Sequence, residues 1–249
     1  MRLLRGDSYD FESELSNLKI QQEEMSTEKK SFLELFKSKA TMRAFTIIIS
    51  LAFFFQMTGI NAILFYSTKI FIEAGVQLDP QICTIIIGCA QILGTLFATA
   101  FVDRLGRKFI LMCSMVLMFA SLIGIGVFFS VKDGGSSVEN LGWLPVTSLS
   151  VFIIAFSGGM GPMFYVLLGE LFSNDAKDVV APIGQVLNFA LTFVIGLVFP
   201  FLTEAIGTGT TFYAFAGFAV CAFLFTVFLI PETKGKSLHE IQVLLTNEM

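Results

Sequence analysis

The chain has 249 residues, of which 55% are hydrophobic and 14% charged, and its formal net charge is −4. A soluble domain of this size cannot bury that much apolar side chain, so the composition defines a membrane protein with several crossings. The slight acidic balance offers no electrostatic footprint for nucleic acid. Met1 to Asp10 are polar and charged, so a cleavable signal peptide is not expected.

Residues 1–40 form a polar tail. Phe11, Leu15, Leu18, Gln22 and Met25 recur at helical spacing. Ser31 and Glu34 have the spacing of a capping box beside Phe32, Leu35 and Phe36. Cytoplasmic linker helices are therefore expected, with a solvated acidic tail as the alternative. Six apolar runs follow, at 44–67, 81–102, 109–131, 144–169, 181–203 and 210–230. Each is close to the ~20 residues that a spanning helix needs. The chain thus divides into a linker (1–40), a six-helix membrane unit (41–232) and a polar tail (233–249). Six crossings place both ends on one side. That side holds Arg2, Arg5, Lys19, Lys29, Lys30, Lys37, Lys39, Arg43, Arg104, Arg107, Lys108, Lys177, Lys234 and Lys236. Only Lys69 and Lys132 fall opposite, so both termini are expected in the cytoplasm.

Polar residues interrupt the runs. Gln56, Thr58, Asn61 and Tyr66 lie in the first, with Gly59 among them. Gln91 lies in the second run, and Gln185 and Asn188 in the fifth. A buried amide without a partner costs ~2–7 kcal/mol, so these groups should face other helices or a wet cavity. A carboxamide both donates and accepts, which suits a neutral polyhydroxy ligand. Gluing helix to helix is the other use, and residue types alone leave both open. Gln56 and Asn61 would stand about 140° apart around an ideal helix. They share one cavity only if the helix is distorted near Gly59 or the cavity is wide. In the fourth run, Ser157-Gly-Gly-Met-Gly-Pro162 predicts unwound or kinked backbone at Gly161 and Pro162. Breaks of this kind mark substrate sites in carriers.

Charges collect at the joints. Asp103-Arg-Leu-Gly-Arg-Lys108 links the second and third runs, Glu170 closes the fourth, and Pro231-Glu-Thr-Lys-Gly235 closes the sixth. They read either as a latch between helix ends or as topology signals alone. Ser237 and Glu240 have capping-box spacing for a short tail helix. Cys83, Cys89, Cys113 and Cys221 have no disulfide or metal spacing and are expected to be buried, inert thiols. His239 reads as a solvated surface residue, and Trp143 as an interfacial anchor. No nucleophile set, metal cluster or phosphate loop is present, so neither an enzyme nor a cofactor is expected.

Gln56-Met-Thr-Gly-Ile-Asn-Ala-Ile-Leu-Phe-Tyr66 resembles the seventh-helix motif of the sugar porter family, within the major facilitator superfamily. Asp103 to Lys108 resembles that family's loop between helices 8 and 9. Gly161-Pro-Met-Phe-Tyr-Val-Leu-Leu-Gly-Glu170 resembles its tenth helix, and Pro231 to Gly235 its signature after helix 12. The resemblance covers about residues 5–245, and within the family it is strongest to the facilitated trehalose transporters of insects.

The resemblance implies an all-α integral membrane fold whose six transmembrane helices correspond to helices 7–12, preceded by cytoplasmic linker helices. It implies facilitative transport of a neutral sugar, a hexose such as glucose or trehalose, by alternating access in the plasma membrane. A proton-coupled symporter and a transport-incompetent sugar sensor or regulatory half-transporter are the alternatives. Gln56, Asn61, Gln91 and Asn188 match sugar-bonding positions, and Tyr165 matches an aromatic that packs on the sugar. Phe65 and Tyr66 match an outer gate. Asp103, Arg104, Arg107, Lys108, Glu170 and Glu232 match a cytoplasmic charge network. Four positions depart from the pattern: Phe55 replaces a second Gln, Tyr165 a Trp, Phe164 a Pro, and Ser157 a frequent carboxylate. Family members pair two six-helix halves. The implied partner, besides sugar and bilayer, is therefore an N-terminal half. A piece of a longer reading frame is expected, with a half-size product as the alternative.

Overall fold

A computed structural model describes residues 38–135 and 138–247, apart from the side chains of Asp103, Glu139, Asn174, Asp175 and Asn247. The Phe11–Met25 pattern and the Ser31/Glu34 pair lie outside the described residues. Among those described, no strand occurs. Nine α-helices are described: α1 Lys39–Met57, α2 Ile60–Ala74, α3 Pro80–Leu105, α4 Arg107–Asp133, α5 Trp143–Ala155, α6 Gly161–Glu170, α7 Asn174–Ile206, α8 Thr208–Leu229 and α9 Leu238–Asn247.

Six stretches are long and apolar enough to cross a membrane. α1 with α2 forms the first, and α5 with α6 the fourth. The helices outrun the apolar runs because helix hydrogen bonding continues into the polar flanks. The first span covers Lys39–Ala74.

The joints follow from local chemistry. Asp79 caps α3, its side chain accepting from Gln81 N–H at 2.8 Å, with Pro80 at the first helical position. Gly106 alone separates α3 from α4, at φ +93°, a conformation that costs L side chains steric strain. α4 lies along α8 through close approaches. A Cβ on Gly126 would fall 2.6 Å from the Tyr213 ring, and one on Gly209 would fall 2.8 Å from Ser130 Oγ. Small residues bring membrane helices together where water supplies no driving force. α5 packs on α3 and α4, and α1 on α7 and α8. α3 and α7 leave most apolar side chains outward, including Ile85, Ile92, Leu96, Val186, Phe189, Phe193 and Phe201.

At the Gly/Pro cluster Phe156–Met160 form a π-helical turn, an interruption of the α-helical bonding that carries α5 into α6. One expectation needs correction. Of the four thiols only Cys83 is buried, while Cys89, Cys113 and Cys221 are exposed on the bundle surface. In a membrane the outer face is apolar too, so an apolar run does not imply burial.

Candidate functional site

The site begins at Gly59. Its φ of +82° breaks the first span after Met57, and a Cβ there would lie 2.4 Å from the Phe215 ring. Thr58 Oγ1 donates to Phe55 C=O at 3.1 Å and Gly59 N–H to Gln56 C=O at 2.9 Å, which closes the chain over the break. The consequence is rotation. Asn61 Nδ2 donates to Gln56 Oε1 at 2.7 Å, although an ideal helix would hold the two about 140° apart.

The network then crosses to α7. Gln56 Nε2 donates to Asn188 Oδ1 at 2.6 Å, and Asn61 Nδ2 also donates to Thr192 Oγ1 at 3.2 Å. Gln56 is fully enclosed and Asn188 is buried, while Asn61 is partly open. Gln56 stands midway along the Lys39–Ala74 span and Asn188 near the middle of Ala176–Ile206. Among the described residues, Asn61 Oδ1 and Asn188 Nδ2 have no protein partner. Neither is sealed away, because among the described residues Ser150 Oγ is the only buried side-chain polar atom without one. One acceptor and one donor are thus available to a ligand from a network that is otherwise satisfied.

The flanking aromatics divide by role. Tyr66 donates its hydroxyl to Gly196 C=O at 2.9 Å and packs on Phe199, with ring centroids 5.3 Å apart. Phe65 is exposed, and its ring lies close over Gly196. Both residues therefore meet α7 at one glycine. Phe55 is buried with its ring 4.7 Å from Phe156 and 5.8 Å from Phe164, so an aromatic wedge occupies the place of a second amide. Phe164 is buried in that wedge. Tyr165 is exposed and touches Phe164 edge-on. Gln91 stands apart from the network, in an open hollow with Gly88, Ile92, Thr95 and Leu96. Ser157 is buried in the π turn, beside Gly94.

At the end of the bundle holding Gly106, helix ends are tied together. Glu232 accepts from Arg107 N–H at 3.0 Å and Lys108 N–H at 3.1 Å, the first free donors of α4. Its charge also sits at the positive end of that helix dipole. Lys234 N–H reaches the same carboxylate at 3.0 Å. Lys108 Nζ donates to Val227 C=O at 2.7 Å, near the close of α8, and Lys234 Nζ to Arg104 C=O at 2.5 Å, near the close of α3. Arg107 pairs with Glu170 at 2.8 Å, and Thr233 donates to the other Glu170 oxygen at 2.6 Å. Among the described residues, most of this network is helix capping around the Arg107–Glu170 ion pair. Arg104 enters it by its carbonyl, and the Asp103 side chain lies outside the described residues.

The tail helix α9 carries the expected capping box. Ser237 N–H donates to Glu240 Oε2 at 2.7 Å and Glu240 N–H to Ser237 Oγ at 3.4 Å. The Ser237 backbone N–H holds the Glu240 carboxyl below its ordinary pKa. Gln242 Nε2 donates to Leu171 C=O at 2.7 Å, and Arg43 to Leu245 C=O at 3.3 Å, which docks α9 on α6 and α1.

Sequence reasoning missed Thr192 and Thr233. Thr192 lies one helical turn from Asn188, a periodic signal that was available. Thr233 gave no such sign.

The fold and site together define a multi-pass helical membrane protein with a polar network enclosed between its first and fifth spans. The chain belongs to the sugar (and other) transporter family, whose model matches residues 5–245. It is 36% identical over 244 residues to a facilitated trehalose transporter of Aedes aegypti, covering 97% of this chain and 30% of that protein. It is 37% identical over 248 residues to a facilitated trehalose transporter of Bombyx mori, covering 99% and 49%. Its fold is similar to that of the major facilitator superfamily proton:xylose symporter XylE bound to 6-bromo-6-deoxy-D-glucose. The TM-score is 0.70 at 27% identity, over 81% of this chain and 42% of that one. The chain spans half or less of the length of these relatives.

Proposed function

We propose that this chain forms the second half of a carrier for a neutral sugar, trehalose or a hexose, working facilitatively by alternating access. The observation that carries this reading is the Asn61–Gln56–Asn188 chain of amides at mid-span, which leaves one amide oxygen and one amide nitrogen available. A sugar hydroxyl can donate to the first and accept from the second. Similarity to trehalose transporters and to a xylose symporter supports the substrate class. Gln91 and Tyr165, outside the network, would meet the sugar from α3 and α6. Phe65 and Tyr66 would gate the outer mouth.

Alternating access needs two walls that rock around a fixed site. The outward apolar faces of α3 and α7 support contact with a preceding six-helix half, on the same chain or on another. The capped helix ends around Arg107, Glu170 and Glu232 would form the inner latch. The Lys and Arg distribution supports a cytoplasmic position for that latch and for both termini; the plasma membrane is the residence that the family resemblance implies. On this reading, residues 1–40 are the linker and 233–249 the cytoplasmic tail.

The test is uptake of labelled trehalose and hexoses by the complete reading frame. Asn61→Ala and Asn188→Ala are expected to weaken uptake at undiminished surface expression. Normal uptake in both would remove the assigned site.

A further inference from the structure

We propose that Ser114 is the positioning residue of the helix break, clipping the π turn from the neighbouring span and so setting the direction in which α6 carries Tyr165 and Glu170. The turn is closed by backbone groups five residues apart, as π geometry requires. Ser114, on α4, reaches across to both ends of it. Its hydroxyl donates to Ala155 C=O at 2.7 Å and accepts from Met160 N–H at 3.2 Å. The residue is buried.

The contact exists only because of what faces it. A Cβ on Gly159 would fall 2.4 Å from Ser114 Cβ. A Cβ on Gly94 would fall 2.9 Å from Ser157 Cβ and 3.1 Å from Gly158 N, so α3 also meets the turn at its backbone. The π turn is thus held between two helices, and Ser114 supplies the directional bonds. The hydroxyl also has an alternative acceptor on its own helix, Met118 Sδ at 3.5 Å. Rotation towards that sulfur opens the clip. An apolar hollow of about 320 Å³, bordered by Phe97, Phe109, Cys113, Leu117 and Ile154, gives the turn room to shift.

α4 therefore grips α6 at two points. Ser114 holds the turn at its head, and Arg107 holds Glu170 at its foot. The two grips lie about 10 Å apart along α4, by the rise of an α-helix. α6 is splinted to α4 while both are closed and is released from α4 once both open.

Amide exchange in the purified chain tests the clip directly. Ser114→Ala should speed exchange at residues 156–161 by roughly three- to tenfold, the worth of a net hydrogen bond, and leave α8 unchanged. Gly159→Ala, which displaces the serine from the other side, should do the same. No change at 156–161, or an equal rise across α8, would overturn the clip. Adding Glu170→Gln to Ser114→Ala should mobilise α6 by more than the product of the single effects; a simple product would overturn the splint. A third readout rests on the carrier reading. In the complete reading frame, Ser114→Ala should change the maximal uptake rate at nearly constant KM, because the hydroxyl positions a helix and touches no sugar. A change confined to KM would count against the proposal. If the unsubstituted carrier moves no sugar, the carrier reading fails, and the exchange result still decides the clip.

Discussion

The two uses of a buried amide, helix glue and sugar contact, separate in a double-mutant cycle on Gln56 and Asn188. Asn188→Ala removes the acceptor that Gln56 Nε2 uses at 2.6 Å, and Gln56 has no exposed surface on which to find water. An unpaired buried donor costs about 1–3 kcal/mol. Interhelical hydrogen bonds inside membranes are worth less, about 0.6 kcal/mol on average and 1.7 at most, because the unfolded chain in lipid also finds partners. Each single change, Asn188→Ala or Gln56→Leu, should therefore destabilise by about 1–2 kcal/mol. The double change should cost less than the sum, by a coupling of about 0.6–1.7 kcal/mol. Unfolding of the purified chain in mixed micelles with a denaturing detergent measures this. Sugar affinity of the complete carrier should behave in the opposite way. The double change does not restore the Asn188 amide donor, so affinity should stay about three- to tenfold down, the worth of that one lost bond, while stability partly recovers. Coupling within about 0.3 kcal/mol of zero would mean that the bond is not formed in the membrane. A double variant with recovered stability and intact sugar affinity would reduce the network to glue.

Glu232→Ala leaves three backbone N–H groups without their acceptor and uncaps α4, so thermal unfolding should show a loss of about 1–2 kcal/mol. Glu232→Gln, which keeps an acceptor oxygen, should lose less. Gly59→Ala forces an L side chain to φ +82° and a Cβ into the Phe215 ring; the backbone strain alone costs about 1–3 kcal/mol. Its melting temperature should fall, and truncation of Phe215 should not restore it. The Glu240 carboxyl is held below its ordinary pKa, so its contribution is full above the unfolded-state value and is lost as pH falls through the folded one. Exchange protection across Leu238–Asn247 should therefore decline in acid, and Glu240→Gln should flatten that dependence. An equal decline in both proteins would refute the capping role.

Much of the fold was legible because hydropathy is written residue by residue. Six runs of spanning length became six membrane-crossing stretches, and Ser237 with Glu240 became a capping box because both partners lie within one turn. Gly59 was legible as the condition for Gln56 and Asn61 to meet, since 140° of helix had to be undone. The facing of side chains was not legible. Lipid and protein interior are equally apolar, so nothing in the sequence around Cys89, Cys113 or Cys221 distinguishes inside from outside. The same loss of contrast hid the placement of Gln91 away from the other amides.

What the sequence by itself determined is the inventory: how many crossings, where they break, and which amides and charges they carry. Tertiary structure decided the pairings. Asn61 meets Thr192, Ser114 meets Ala155 and Met160, and Glu232 meets the start of α4, in each case across 41 to 131 residues of chain. No periodicity reaches that far. Hydrogen bonds are short-range, so which donor finds which acceptor is fixed only when packing has set each helix's rotation to within a fraction of a turn.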